Sequence, residues 1–338
     1  MNSDELKSTI QMIASAGKGI LAADESTPTI TKRFSALNIT CTEDSRRQYR
    51  ELLFTTPDIA QYICGVILYE ETLNQTSSQG IGFAELLAQK NIIPGIKVDK
   101  GLINLPFSEE KTTQGLDGLG ERLISYKKLG VRFAKWRAVF SISDNTPSAL
   151  LMRTNAEDLA RYGAICQEIG IVPIIEPEVL IDGNHTLEQC AKISEKVLHQ
   201  VMHKLYKHQV MLEYVILKPS MVTPGKNCQV KKNAMEIAKA TITVLKRTVP
   251  GALPTINFLS GGQTPIEATA NLNAMHQVDQ SLPWNVSFSF ARALQEPCMK
   301  AWGGDPKNVT IAQNSFLQRC KLNSLASLGQ YNPSLEKP

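Results

Sequence analysis

The sequence predicts an α/β chain closed into a (β/α)8 barrel, the TIM-barrel architecture, with an extra N-terminal helix, a C-terminal helix and a short tail. Short β-rich runs recur eight times, and longer stretches of helical period follow them. Parallel strands joined by crossover helices require this alternation. No composition shift and no Pro/Gly/Ser-rich linker separates the units, which favours one closed barrel over an open doubly wound sheet of fewer units. A chain of 338 residues is long enough to bury such a core.

In chain order the strand candidates are residues 19–23 (GILAA), 64–70 (CGVILYE), 93–98 (IPGIKV), 132–140 (RFAKWRAVF), 171–179 (IVPIIEPEV), 214–219 (YVILKP), 255–260 (TINFLS) and 285–290 (NVSFSF). Amphipathic helices are predicted over 43–53, 155–168, 187–206, 234–247 and 265–275, several opened by Thr, Asp or Pro in capping positions. The first eighteen residues form a leading helix and 306–328 a trailing one. One barrel domain over 1–328 is expected, with 329–338 (GQYNPSLEKP), polar and punctuated by proline, as a flexible tail.

Composition narrows the function classes. Thirty-six basic and 32 acidic residues give a net charge of only +4, without a basic block interleaved with aromatics, so no nucleic-acid partner is expected. The polar start MNSDELKSTI lacks an apolar signal region and no apolar run reaches membrane-span length. A soluble, cytoplasmic protein without a membrane partner is the expectation. Seven scattered cysteines without a C-x-x-C pair agree with a reducing compartment. His199 and His203 share a helical face, but the Leu, Val and Met around them read as ordinary packing, and no metal is expected.

The informative anomaly is charge at the strand ends. Barrel strands normally read as continuous apolar runs, yet here they end in Asp24, in Lys97 and Asp99, in Lys135 and Arg137, in Glu176 and Glu178, and in Lys218. Each i, i+2 pair points to one face, expected to be the barrel interior. A lone strand-end lysine usually reaches solvent along its stem. Five strands doing this at one barrel end define a binding or catalytic mouth. Lys135 and Arg137 side by side need carboxylates or an anionic ligand, which suggests a phosphorylated substrate. Phosphate handles follow the seventh and eighth strands, where this architecture places them: Ser260-Gly261-Gly262, and residues 289–292 with Ser289 and Arg292.

No Ser-His-Asp grouping, Walker loop or dinucleotide fingerprint is present. What remains is lysine and carboxylate chemistry. A partly desolvated amine near other cations loses its proton more easily, and a fall of about 3 units costs about 4 kcal/mol of environmental work. Lys218, with Lys135 as a neighbouring charge, suits a Schiff-base nucleophile, and the imine would serve as an electron sink for breaking an adjacent carbon-carbon bond.

The motifs GKGILAADEST, GVILYEETL, GIKVDKG, TTQGLDGL, FAKWR, PIIEPE, LKPSMVTPG, FLSGGQ, ARALQ and AWGG resemble class I fructose-1,6-bisphosphate aldolase from Gly17 to about Tyr331. The resemblance implies a homotetrameric barrel that reversibly cleaves fructose 1,6-bisphosphate to dihydroxyacetone phosphate and glyceraldehyde 3-phosphate without metal or other cofactor, in glycolysis and gluconeogenesis. It implies Lys218 as Schiff-base nucleophile, Glu176 as general acid/base supported by Glu178, Lys135 in proton transfer and charge balance, and Asp24 in taking the C4 hydroxyl proton. Arg137 would bind substrate. Ser26, Thr29 and Lys97 would face the 6-phosphate, with Arg33 a looser candidate; Ser260, Gly261, Ala291 and Arg292 would face the 1-phosphate.

Some positions depart from the animal-type pattern. Pro28-Thr29 stands where Gly-Ser is common and is expected to stiffen a loop. Ala291 replaces a glycine, at little cost if its φ is negative. Animal members carry a longer tail ending in tyrosine that helps reprotonate the enamine; here the last tyrosine is Tyr331, so water or Glu176 is expected to serve instead. Two alternatives stay open: a lysine-dependent aldolase preferring a monophosphate such as fructose 1-phosphate, and a non-catalytic scaffold of the same fold.

Overall fold

The computed structural model describes residues 3–336. Its strands are β1 (Gly19–Ala23), β2 (Ile63–Leu68), β3 (Ile93–Lys97), β4 (Leu102–Asn104), β5 (Lys111–Thr113), β6 (Phe133–Phe140), β7 (Val172–Val179), β8 (Ile216–Leu217), β9 (Thr255–Phe258) and β10 (Asn285–Phe290). Eight of them close a parallel barrel in the order β1-β10-β9-β8-β7-β6-β3-β2. The (β/α)8 expectation holds, and the eight strands fall on the eight predicted runs. The remaining pair, β4 and β5, forms a small antiparallel ribbon after β3 that the sequence reading did not contain.

The helices are α1 (Ser3–Ile13), α2 (Thr27–Ser35), α3 (Glu43–Thr55), α4 (Glu70–Leu73), α5 (Phe83–Gln89), α6 (Leu119–Lys128), α7 (Ala149–Ile169), α8 (Leu187–Lys207), α9 (Ala234–Thr248), α10 (Pro265–Val278), α11 (Arg292–Trp302) and α12 (Val309–Ala326). Reciprocal side-chain caps start α3, α8, α9 and α10 at Thr42, Thr186, Asn233 and Thr264, each satisfying first-turn amides that would otherwise be orphaned. Pro28 lies in the first turn of α2. It presets helical φ there, so the expected stiffened loop is a helix start.

Two apolar cores divide the strands. Outward residues such as Leu21, Trp136, Ile175, Leu217, Phe258 and Phe288 pack against the helices. Inward residues of the N-terminal half of the barrel, Ile20, Ala22, Ile93, Phe133, Val172, Ile174 and Ile216, meet Leu6, Ile10 and Ile13 of α1. The leading helix therefore plugs the barrel floor. A Cβ on Gly95 would overlap the Phe133 ring, so that glycine makes room for the largest side chain of the floor.

The C-terminal segment, expected to be a loose tail, packs onto the barrel as far as it is described. The Tyr331 amide donates to Asn273 Oδ1 at 3.0 Å, its buried hydroxyl donates to Glu336 Oε1 at 2.9 Å, and Glu336 pairs with buried Arg319 of α12. Residues 337–338 of that predicted tail lie outside the described residues.

Candidate active site

Strand alternation carries the inward row of the floor upward into charge. On β1 Ile20 and Ala22 lead to Asp24; on β6 Phe133 leads to Lys135 and Arg137; on β7 Val172 and Ile174 lead to Glu176 and Glu178; on β8 Ile216 leads to Lys218. Parallel register sets Arg137 beside Glu176 and Lys97 beside Lys135. These strand ends open into a cavity of about 790 Å3. All fifteen residues that the sequence assigns to catalysis or substrate binding line it: Asp24, Ser26, Thr29, Arg33, Lys97, Lys135, Arg137, Glu176, Glu178, Lys218, Ser260, Gly261, Ser289, Ala291 and Arg292.

At the centre, Lys135 Nζ lies 3.0 Å from Asp24 Oδ2 and 2.9 Å from Glu176 Oε2. Lys218 Nζ stands 3.5 Å from the other oxygen of Glu176. All four side chains are buried. The environment separates the two lysines. Burial is the largest influence on Lys135 and opposes its charge, but Asp24 and Glu176 together outweigh it and hold the ammonium well above the ordinary lysine range. For Lys218 burial is again largest, and with Lys135 it outweighs Glu176 and Asp24, so that amine is held below its ordinary value. Burial, ahead of the neighbouring cation, is thus the main influence lowering the Lys218 amine. Asp24 is pulled well below the usual carboxylate range, since Lys135 and Lys218 overcome the burial that would raise it.

The outer charges are paired as well. Arg137 is bound by Glu178. Lys97 turns onto Asp99, its Nζ 2.6 Å from the buried carboxylate, and Arg33 turns onto Glu25. Glu25 and Asp99 also line the cavity; the sequence marked Asp99 as a strand-end charge of the mouth without giving it a role, and did not mark Glu25. Glu25 is buried, lies 2.6 Å from the Arg50 guanidinium as an ion pair, and accepts from Gln295 Nε2 at 2.8 Å. Near α2, Ser26 and Thr29 hydroxyls lie 3.1 Å apart.

On the far wall, Gly261 and Gly262 adopt φ of +48° and +84°, the left-handed conformation in which a two-glycine turn exposes backbone amides. Beside it β10 passes directly into α11, whose N-terminus has no side-chain cap, so its first amides are available to an anion. Ala291 at that junction has φ −102°; the Cβ is accommodated, as expected for a negative φ. Ser289 is buried with its Oγ free of any hydrogen-bond partner among the described residues, and exposed Arg292 opens α11. Lys226, one residue past the LKPSMVTPG motif, also lines this side and went unread in the sequence.

A mouth in which one buried lysine is held above its ordinary value and its neighbour below it is the arrangement that lysine-dependent imine chemistry uses. Comparison with known proteins gives the family: the model described as fructose-bisphosphate aldolase class-I matches residues 5–338, and the chain belongs to that family. It is 53% identical over 329 residues to fructose-bisphosphate aldolase 6, cytosolic, of Arabidopsis thaliana, with 97% of this chain and 92% of the relative covered. Fructose-bisphosphate aldolase 2 of Caenorhabditis elegans is 52% identical, with 97% and 90% covered. Among solved structures, that of fructose-bisphosphate aldolase from Plasmodium falciparum in complex with TRAP and a small molecule inhibitor superposes with a TM-score of 0.96 at 48% identity, covering 98% of this chain and 96% of that one. Class I aldolases are lyases that work through a covalent lysine Schiff base and no metal.

Proposed function

We propose that this chain reversibly cleaves fructose 1,6-bisphosphate to dihydroxyacetone phosphate and glyceraldehyde 3-phosphate, serving glycolysis and gluconeogenesis, and that it does so in the cytosol, the location that the names of its plant relatives give for those proteins. The observation that carries the residue roles is the single carboxylate, Glu176, shared between a lysine held charged and a lysine driven toward neutrality.

The neutral Lys218 amine attacks the C2 ketone, forming a C–N bond and a carbinolamine. Glu176, 3.5 Å from that nitrogen, delivers a proton to the departing hydroxyl, and water leaves as the iminium forms. Asp24 takes the C4 hydroxyl proton while the C3–C4 electron pair moves into the iminium. Glyceraldehyde 3-phosphate departs and an enamine remains. Lys135 stays protonated between Asp24 and Glu176, so each carboxylate can lose or gain a proton without leaving bare negative charge in a dry pocket. Protonation at C3 and hydrolysis then free dihydroxyacetone phosphate and the amine.

Ser260, Gly261, Ser289, Ala291 and Arg292 would receive the 1-phosphate, and Ser26, Thr29, Arg33 and Lys97 the 6-phosphate. In the second group Arg33 and Lys97 are already engaged by Glu25 and Asp99, so binding the second phosphate means exchanging an internal carboxylate for it. Arg137, beside Glu178, would bind the sugar. A homotetramer is the assembly this reading implies, checked by light scattering.

Borohydride reduction in the presence of dihydroxyacetone phosphate, followed by peptide mapping, tests the assignment: the label falls on Lys218 and inactivates in proportion. A label on Lys135, or none, overturns it. The ratio of kcat/KM for fructose 1,6-bisphosphate to that for fructose 1-phosphate separates the bisphosphate reading from the monophosphate one.

A further inference from the structure

We infer that Lys226 is a further phosphate-binding residue of this mouth, an ammonium held by Asp182 in the free enzyme that transfers to the phosphate bound at the loop formed by Ser260, Gly261 and Gly262. This rests on the reading that the loop takes the 1-phosphate.

The placement is direct. Lys226 lines the cavity, and its Cε and Nζ lie 3.1 and 3.2 Å from where a Cβ on Gly262 would stand. The ammonium therefore occupies the space left by the missing side chain, against the backbone that would cradle the anion. Gly262 thus does two things: its φ of +84° shapes the turn, and its lack of a Cβ admits the lysine.

The backbone beneath Lys226 is fixed while its side chain is free to exchange. Amides of Gly225, Lys226 and Asn227 donate to the carbonyls of His185, Ile181 and Gly183 at 2.8, 2.8 and 2.9 Å. A Cβ on Gly225 would strike the Gly183 carbonyl, so the two loops are in close backbone contact. By contrast the Lys226–Asp182 pair is long, 3.3 Å, with side chains 46% and 71% exposed. Such a pair contributes little and is easily exchanged. A phosphate offers more charge and more acceptor oxygens than one carboxylate. The loop itself supplies neutral donors, so Arg292 and Lys226 would be its two mobile cations.

The test compares wild type with Lys226→Met, Lys226→Arg and Asp182→Asn. Steady-state kinetics use fructose 1,6-bisphosphate and fructose 1-phosphate, which share the 1-phosphate, and borohydride trapping measures the affinity for dihydroxyacetone phosphate. Lys226→Met raises KM for both substrates about 3- to 5-fold, the range of a partly screened contact, weakens dihydroxyacetone phosphate similarly, and leaves kcat within about 2-fold, as loss of uniform binding does. Lys226→Arg restores most of the affinity, and Asp182→Asn lowers KM by removing the competing carboxylate. An unchanged KM in Lys226→Met overturns the inference, as does a loss confined to the bisphosphate, or an Asp182→Asn variant that weakens binding as the lysine variant does. If wild-type enzyme neither cleaves nor traps, the aldolase reading falls along with the inference; an active Lys226→Met enzyme with wild-type KM removes Lys226 alone.

Discussion

Along β7 the inward side chains run Val172, Ile174, Glu176, Glu178, and along β6 Phe133, Lys135, Arg137. One step of two residues, about 7 Å of strand, separates a floor of hydrocarbon sealed by α1 from a mouth of ion pairs. Strand geometry is the same in both halves. The difference shows that the floor is what makes the mouth chemically useful: with water excluded from below, Lys218 stands directly above Ile216 and is desolvated on a rigid strand end, and desolvation is the largest influence on its amine. The charges are tolerated because each has a partner, and in the proposed mechanism they act because those partners do not satisfy all of them equally.

Moving a charge from one half to the other breaks this arrangement most severely. Ile174→Lys puts an ammonium among Phe133, Val172 and Ile216, in register with Lys135, where the nearest carboxylate, Glu176, is already shared by two lysines. A loss of more than about 4 kcal/mol is expected, seen as failure to accumulate folded protein or a collapse of the denaturant midpoint, whereas Ile174→Val costs about 1 kcal/mol. Equal stability of the two variants would mean the floor is wet.

Within the mouth, Glu176→Gln keeps the shape but removes the shared charge. Lys135 retains Asp24 at 3.0 Å, so the fold survives, but carbinolamine dehydration loses its acid and kcat falls about 10²- to 10⁴-fold. Trapping of the Lys218 imine slows in parallel. If kcat falls while imine formation keeps its rate, Glu176 acts after dehydration and its assignment is wrong.

How much of this contrast the sequence revealed follows from what strand alternation can encode. The inward rows were readable because period two fixes which residues share a face, and the runs at 64–70, 93–98 and 132–140 were long enough to stand out. Glu25 was not readable. It follows Asp24 directly, so alternation aims it away from the mouth, and it is buried by Arg33, Arg50 and Gln295 from α2, α3 and α11, partners up to 270 positions away. The β4–β5 ribbon escaped because each strand has three residues and β4 is exposed throughout, leaving no hydrophobic signal. Tyr331 and Glu336 looked like a tail because their anchors, Asn273 and Arg319, lie on α10 and α12.

A smaller effect tests whether Lys218 is costly to keep. Its folded-state value lies below the ordinary lysine value, so the unfolded chain binds more protons between the two. Stability then rises with pH across that window, and the penalty of burying the amine is fully present below the folded value. Lys218→Met, inactive, therefore melts higher than wild type at neutral pH, and the gap narrows as pH climbs toward the ordinary lysine value. A gap independent of pH would assign the gain to packing rather than charge.

The smallest expected effect lies at the wall proposed to take the 1-phosphate, where backbone is expected to matter more than charge. Ala291 has φ −102° and ψ −86°, on the negative side of φ where an alanine Cβ carries no left-handed penalty. The amide it would offer an anion is present with or without that Cβ. Ala291→Gly should leave KM for fructose 1,6-bisphosphate within about 2-fold and lower stability by less than about 1 kcal/mol through backbone entropy. Gly261→Ala, by contrast, meets φ +48° and a Cβ contact of 2.8 Å to Leu259, and should raise KM several-fold more than Ala291→Gly does. Parallel KM measurements on the two variants decide it. Equal effects would show that the wall binds phosphate through its side chains, and that the conformations of Gly261 and Ala291 are incidental to binding.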